Sequence, residues 1–357
     1  MLRKIMMGFV FLSAVSFCSL ARACESSFAV TDLGTLGGER SVACGLNDRG
    51  QVVGFSSLAN GESHAFLWSD CGMTDLGTLP DLGFSTGRNI NNSGQVVGDS
   101  TAQFLTPPYH AVLWKRNREI VPLGTLGGAA GFAVDINSRG QVVGAARDGS
   151  GQLHAFRWQD DVMTDLGTLP GHVLSVARGI NRRGQAVGNS EAVETPSIGV
   201  CPTNPAPVQA PHRAVLWDDQ GVTDLGTLGG GFGLAKGIND RGQVVGSSSL
   251  ANGEEHAFLW SEGVMTDLGT LGGGYSLANR INNRGRIVGL SKTSDEEVHA
   301  VLWQGGVMTD LNSLIPADSG WVLVEATDIN RHGEIVGVGT ISGETHAFLL
   351  TPVEGDE

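Results

Sequence analysis

Apolar and polar positions along this chain recur with a period far longer than that of a helix or a strand. Each unit reads A-x-x-I-N-x-R-G-Q-V-V-G, then a loop, then H-A-F-L-W, then a short turn, then T-D-L-G-T-L-G-G. The turn motif falls at residues 47–50, 91–94, 137–140, 181–184, 239–242, 282–285 and 330–333, with glycine spacings of 44, 46, 44, 58, 43 and 48 residues. A period in this range marks a solenoid, a propeller or an array. Within a unit the pattern predicts four strands, a to d. In the fifth unit these cover 234–238, 243–246, 256–260 and 265–271. Aromatic and β-branched residues bounded by Gly and Asn are the strand signal. The Val-Val pair places one apolar side chain on each sheet face, so both faces must be buried. Asn-x-x-Gly is the a–b hairpin turn, with Gly at the position that needs positive φ.

The repeat is split across the termini. The last unit ends at 346–350 with no T-D-L-G-T-L after it, and the first is preceded by an extra Thr31-Asp32-Leu33-Gly34-Thr35-Leu36. Pairing of 28–36 with 346–350 would complete the last unit. An open solenoid gains nothing from such an offset and needs polar capping repeats instead. The expected fold is all-β: a seven-bladed β-propeller of four-stranded blades, closed by the N-terminal strand pairing with the last blade, because ring closure protects sheet edges.

His64, His110, His154, His256, His299 and His346 hold one repeat position, and Arg213 stands there in the fourth unit beside a displaced His212. A histidine repeated this often reads as a buried hydrogen-bonding post, joined to the Asp of T-D-L-G or to a backbone carbonyl, rather than as separate active sites. Trp68, Trp114, Trp158, Trp217, Trp260 and Trp303 recur at the end of strand c, where the seventh unit has Leu350. Large aromatics at a fixed site are read as packing between blades.

The N-terminus has a basic start (Arg3, Lys4), an apolar run over 5–20 and the small-x-small site Ala21-Arg22-Ala23. Residues 1–23 are therefore expected to be a secretory signal peptide and 24–357 a single seven-repeat domain, secreted or periplasmic. Arg22 beside Cys24 and Ala21 in place of a large aliphatic residue argue against lipid anchoring. No other apolar run approaches a membrane span. The formal charge is −14, and loss of the leader removes three cations and no acid. Such a surface repels nucleic acid and anionic lipid. Cys24, Cys44, Cys71 and Cys201 remain after cleavage, without C-x-x-C spacing. Disulfide staples and simple thiols both fit, and thiolate metal binding has little support.

The chain resembles the bacterial HAF-repeat extracellular family. The resemblance is carried by His64-Ala65-Phe66-Leu67-Trp68, Thr74-Asp75-Leu76-Gly77-Thr78-Leu79, Ile90-Asn91-Asn92-Ser93-Gly94-Gln95-Val96-Val97-Gly98 and their other copies, over nearly the whole mature chain. It implies an exported repeat protein and carries no catalytic residues with it. The layout also looks like other four-stranded-blade propellers, without their signature dipeptides.

Function is expected where the repeat breaks. The b–c loops vary most: 99–109 with Phe104 and Tyr109, about 189–211 with Cys201, and 291–297. Variable loops on a rigid scaffold usually carry binding residues. Phe104, Tyr109, Cys201, His172 and Tyr275 are the candidate binding residues, with tolerated surface insertion as the bland reading. On the other face, Arg49, Arg139, Arg183, Arg241 and Arg284 form a partial basic ring that could hold an anion. The simpler expectation is that each pairs with acidic c–d turns such as Asp70, Asp160, Asp161, Asp218, Asp219 and Glu262. Zinc-protease, Walker and EF-hand motifs are absent from the sequence, and nothing calls for a cofactor or a metal. Changes such as Arg157, Trp321 and Glu334 are scattered. The leading expectation is a monomeric, non-catalytic binding scaffold for a protein or surface glycan, engaged by the b–c loops. The alternative is a propeller enzyme acting on extracellular carbohydrate or a related small molecule, through a carboxylate pair.

Overall fold

The structure is a computed structural model that describes residues 27–70, 72–104, 107–193 and 212–353. The expected signal peptide, Cys24, Cys71, Cys201 and most of the fourth unit's insertion lie outside these residues. The described chain is all-β apart from one 3-10 turn, Leu311–Leu314. None of its helices is long and apolar enough to cross a membrane.

The fifth unit shows the plan. Strands a (Gly229–Ile238), b (Val244–Leu250), c (Glu255–Ser261) and d (Val264–Asp267) pair antiparallel in chain order. Strand d ends four residues earlier than the sequence suggests. The Asp267 carboxylate accepts the Gly269 N–H at 2.8 Å, and Gly269 turns the chain with φ +71°. The same order recurs over residues 37–75, 84–122, 127–165, 174–224 and 272–310. The last unit has its own a, b and c strands, Trp321–Ile329, Ile335–Ile341 and Glu344–Pro352. Its fourth strand is Phe28–Asp32, antiparallel to Glu344–Pro352 in a register running from Phe28↔Pro352 to Asp32↔Phe348. In the fourth unit, strand b runs through Ala186–Glu191, so Asn189, Ser190 and Glu191 belong to the sheet rather than to the insertion.

The Val-Val pair does what its alternation requires. Val142 packs in a cluster with Val97 and Leu113 of the preceding unit, while Val143 packs with Ala177, Val215 and Trp217 of the following one. Both valines are fully buried. The core is thus a set of apolar seams between neighbouring units. Hydrogen bonds cross the same seams: the Ala257 N–H donates to Ser276 Oγ (2.8 Å), and Trp303 Nε1 donates to the Leu268 carbonyl (3.0 Å). Of the repeat tryptophans, Trp114, Trp158, Trp217 and Trp303 are buried and Trp68 and Trp260 half-buried.

Every strand a carries a β-bulge just before Ile-Asn (Leu-Asn in the first unit), where its register against strand b slips. A bulge bends the strand and re-aims side chains. It also explains the Gly of Val-Val-Gly. A Cβ on Gly54 would lie 1.8 Å from the Val42 carbonyl, and one on Gly246 would lie 1.9 Å from that of Leu234.

Candidate binding site at the central cavity

The asparagine of each a–b turn does more than shape its own hairpin. In the third unit, Asn137 Oδ1 accepts the N–H groups of Arg139 (2.9 Å) and Gln141 (3.1 Å). Its Nδ2 donates to Gln141 Oε1 (2.7 Å) and to the Asn181 carbonyl of the next unit (2.9 Å). The same amide-to-carbonyl bond runs from Asn47 to Asn91, Asn91 to Asn137, Asn181 to Asn239, Asn239 to Asn282 and Asn282 to Asn330. The bond from Asn330 returns to the Asn47 carbonyl at 3.2 Å.

Inside this ring of amides lies a cavity of about 610 Å³, to which every unit contributes lining residues. Its rim is tied crosswise. Asp48 and Asn92 bond reciprocally (2.8 and 2.7 Å), as do Asp240 and Asn283 (2.9 and 2.7 Å). Arg139, Arg182 and Arg331 are exposed around it.

The wall below the rim is set by the position two residues before each asparagine, immediately after the bulge. It holds Gly45, Asn89, Asp135, Gly179, Gly237, Arg280 and Asp328. Asp135 Oδ2 accepts the Ile180 N–H of the next unit (2.9 Å), and its Oδ1 accepts from Ile136 (2.9 Å) and from Asn89 Nδ2. Asp328 likewise accepts from Leu46 (2.9 Å) and Ile329 (2.8 Å). Arg280 reaches across, donating to the carbonyls of Lys236 (2.8 Å) and Arg178 (3.3 Å). Its guanidinium lies 3.8 Å from Asp135 and 3.9 Å from Asp328. Burial pushes the Asp328 carboxyl up to about 6, against the pull of Arg280 and of its two backbone donors. A cavity of this size, with donors and acceptors of both charge signs, suits a polar ligand.

A second polar layer is buried deeper in the sheet. Arg88 Nε bonds Asp99 Oδ1 at 2.6 Å, and Arg178 Nε bonds Asn189 Oδ1 at 2.9 Å. Asn189 passes the chain to Glu191 (2.6 Å), whose other oxygen lies 3.3 Å from His212 Nε2. Burial, then Arg178, pushes His212 down to about 4, so its ring is neutral at pH 7. Sequence reasoning missed these residues, although a signal existed. Wherever the third residue before the turn asparagine is basic (Arg88, Arg178, Lys236), the residue after Val-Val-Gly or Ala-Val-Gly is polar: Asp99, Asn189 or Ser247.

The residues expected to bind ligand are not brought together. Phe104 packs at a tilt against Phe55 (5.4 Å) and Phe84 (6.0 Å), beside the cluster that includes Cys44. Tyr109 is buried edge-on against Phe132. Tyr275 is half-buried beside Glu255, its hydroxyl raised by burial and then by Glu255 and Glu325. His172 is half-buried in the turn before the fourth unit, with a ring Nδ1 that has no partner. Aromatic side chains on these loops fill space rather than face solvent.

The histidine posts form, at the periphery and not in the core. His64, His154, His256, His299 and His346 pair through Nδ1 with Asp75, Asp165, Asp267, Asp310 and Asp32 at 2.7–2.9 Å, and their side chains are 13–25% exposed. Arg213 replaces the pair in the fourth unit by bonding Asp224. Pro122 occupies the aspartate slot opposite His110's strand. The arginine ring departs from its simpler expectation. Arg49, Arg139, Arg183, Arg241 and Arg284 are exposed, and among the described residues none is in an ion pair; each instead gives its backbone N–H to the turn asparagine.

No family model matches this sequence, and no curated protein does. Solved structures do match in shape. The β-propeller domain of the Trilobed protease from Pyrococcus furiosus, described as having an open velcro topology, has a TM-score of 0.51 at 8% identity. The match covers 88% of this chain and 98% of that one. The BP39L lectin from Burkholderia pseudomallei has a TM-score of 0.44 at 10% identity, covering 90% and 98%. A gluconolactonase, XC5397 from Xanthomonas campestris, has 0.42 at 12%, covering 92% and 95%. At these identities the likeness shows the fold alone: an all-β, propeller-like architecture.

Proposed function

We propose that the chain is an exported, non-catalytic binding scaffold of the HAF-repeat type: a seven-bladed β-propeller closed by its N-terminal strand, whose central cavity takes a polar ligand. Closure is supported by the pairing of Phe28–Asp32 with the last unit and by the return of the amide bonds to Asn47. The ligand is the exposed end of a surface glycan or an extended loop of a partner protein. One observation carries this reading. The position just after the bulge changes identity around the cavity, while the Asn two residues later is the same in all seven units. The variation puts Asn, Asp and Arg side chains on the wall, so the cavity offers donors and acceptors of both charge signs.

Support for binding over turnover comes from the two carboxylates best placed for chemistry. Asp135 and Asp328 each hold two backbone N–H groups and face one guanidinium. They position the wall. The b–c loops lose weight as the site because Phe104 and Tyr109 are packed.

The test is capture from the source organism's envelope and medium with mature 24–357 as bait. Arg182→Ala combined with Arg331→Ala alters the cavity rim through exposed side chains, and deletion of 195–210 removes the largest b–c insertion. A partner retained by the deletion and lost by the arginine pair supports the cavity. The opposite pattern moves the site to the b–c face. Turnover of a captured carbohydrate that stops on Asp135→Asn would favour the enzyme alternative.

A further inference from the structure

A second concavity, of about 540 Å³, opens on the same face between the last unit and the first. It is lined by the half-buried ring of Trp68 and by Arg49, Asp70, His332, Glu334 and Thr31, and it meets the central cavity only at Asp48. The seventh unit departs from the repeat here. His332 stands where five other units have Arg, Glu334 where five have Gln, and Leu350 where all six others have Trp. The seam between these two units is therefore unlike the others in chemistry.

The charges select the ligand. Asp70 and Arg49 are exposed, and among the described residues neither is in an ion pair. A cation entering the groove meets Arg49, and an anion meets Asp70 and Glu334. A hydroxyl both donates and accepts, so it can satisfy carboxylate and guanidinium together. The Trp68 ring supplies an apolar, electron-rich platform for C–H groups. Hydroxyls around an edge and C–H groups on a face describe a pyranose. We infer that this groove binds one residue of a neutral sugar, stacked on Trp68 and held by Asp70, Glu334 and Arg49. The site is separate from the central cavity and stands if that cavity proves empty.

The experiment titrates ¹⁵N-labelled mature protein with free glucose, galactose, mannose and N-acetylglucosamine, following the Trp68 indole resonance. Trp68→Leu, which copies the seventh unit's residue, assigns that resonance. The expected result is a saturable shift with at least one sugar, weakened about tenfold or more in Asp70→Asn and in Arg49→Gln, since a hydrogen bond to a charged group contributes about 1.5–3 kcal/mol. Arg139→Ala with Arg182→Ala, which line only the central cavity, should leave it unchanged, which separates this groove from the cavity. Asp70 and Arg49 are exposed, so their variants keep the test decisive even if Trp68→Leu fails to fold. No saturable shift with any of the four sugars, or affinities unmoved by both surface variants, overturns the assignment.

Discussion

Asn137 and Asp135 stand two residues apart at the end of one strand, yet they belong to rings that follow opposite rules. The asparagine ring is uniform: seven copies, each bonding its own turn and the next unit's backbone. The ring at the bulge is mixed, with three glycines, one asparagine, two aspartates and one arginine. The asparagines cap backbone groups whose positions repeat, so the same amide serves everywhere. The positions just after the bulges surround a shared space, where seven identical charged side chains would repel. Gly179 and Gly237 lie in the two units whose strand-a carbonyls receive Arg280, and a Cβ on Gly179 would come within 2.9 Å of the Lys236 carbonyl.

Four experiments break or sharpen this contrast. Asn137→Ala should have the largest effect, about 3–4 kcal/mol in urea unfolding, because it strips partners from several buried groups. A loss below about 1 kcal/mol would deny the amide ring its structural role. Arg280→Met should cost about 3 kcal/mol at pH 8, where it leaves two carboxylates without their cation. The penalty should shrink at pH 5, where Asp328 takes up a proton.

Asp328 itself gives the third test. Its folded value, pushed up to about 6, lies above the ordinary 3.8. Its contribution is therefore fully present below about pH 4 and lost as pH rises through about 6, approaching about 3 kcal/mol in size. Unfolding measured from pH 4 to 8 should show this decline in the parent and a flatter profile in Asp328→Asn. Arg280 and Asp135 are the charged groups facing it, so both belong in the pH series. His256→Ala should have the smallest effect, below about 1 kcal/mol by thermal melting, because its pair with Asp267 is partly exposed. A loss of several kcal/mol would return the histidine to the core.

Much of the architecture is legible in the repeat. The hairpin at Asn-x-x-Gly, the two-sided burial of Val-Val and the partnership of the first strand with the last all follow from local pattern and from counting. What the pattern hides depends on placing units side by side. The bond from Asn47 to the Asn91 carbonyl joins residues whose geometry is unknown until the turns stand next to each other. Phe104 and Tyr109 look like exposed loop aromatics in sequence, and only the neighbouring sheet shows that they are packed. The cavity wall is legible too, since the column two residues before the turn asparagine varies while the asparagine itself repeats.

The strand Phe28–Asp32 joins Glu344–Pro352, the last strand described. During synthesis Phe28–Asp32 must wait until all the intervening units are made before it finds its hydrogen bonds. Contacts this distant in sequence form late, because the intervening chain must be ordered first. Until then the seventh and first units present bare flanks, and a holding factor has the length of translation in which to act. The same seam should exchange its amide hydrogens earliest under native conditions, making it the place where the molecule first comes undone.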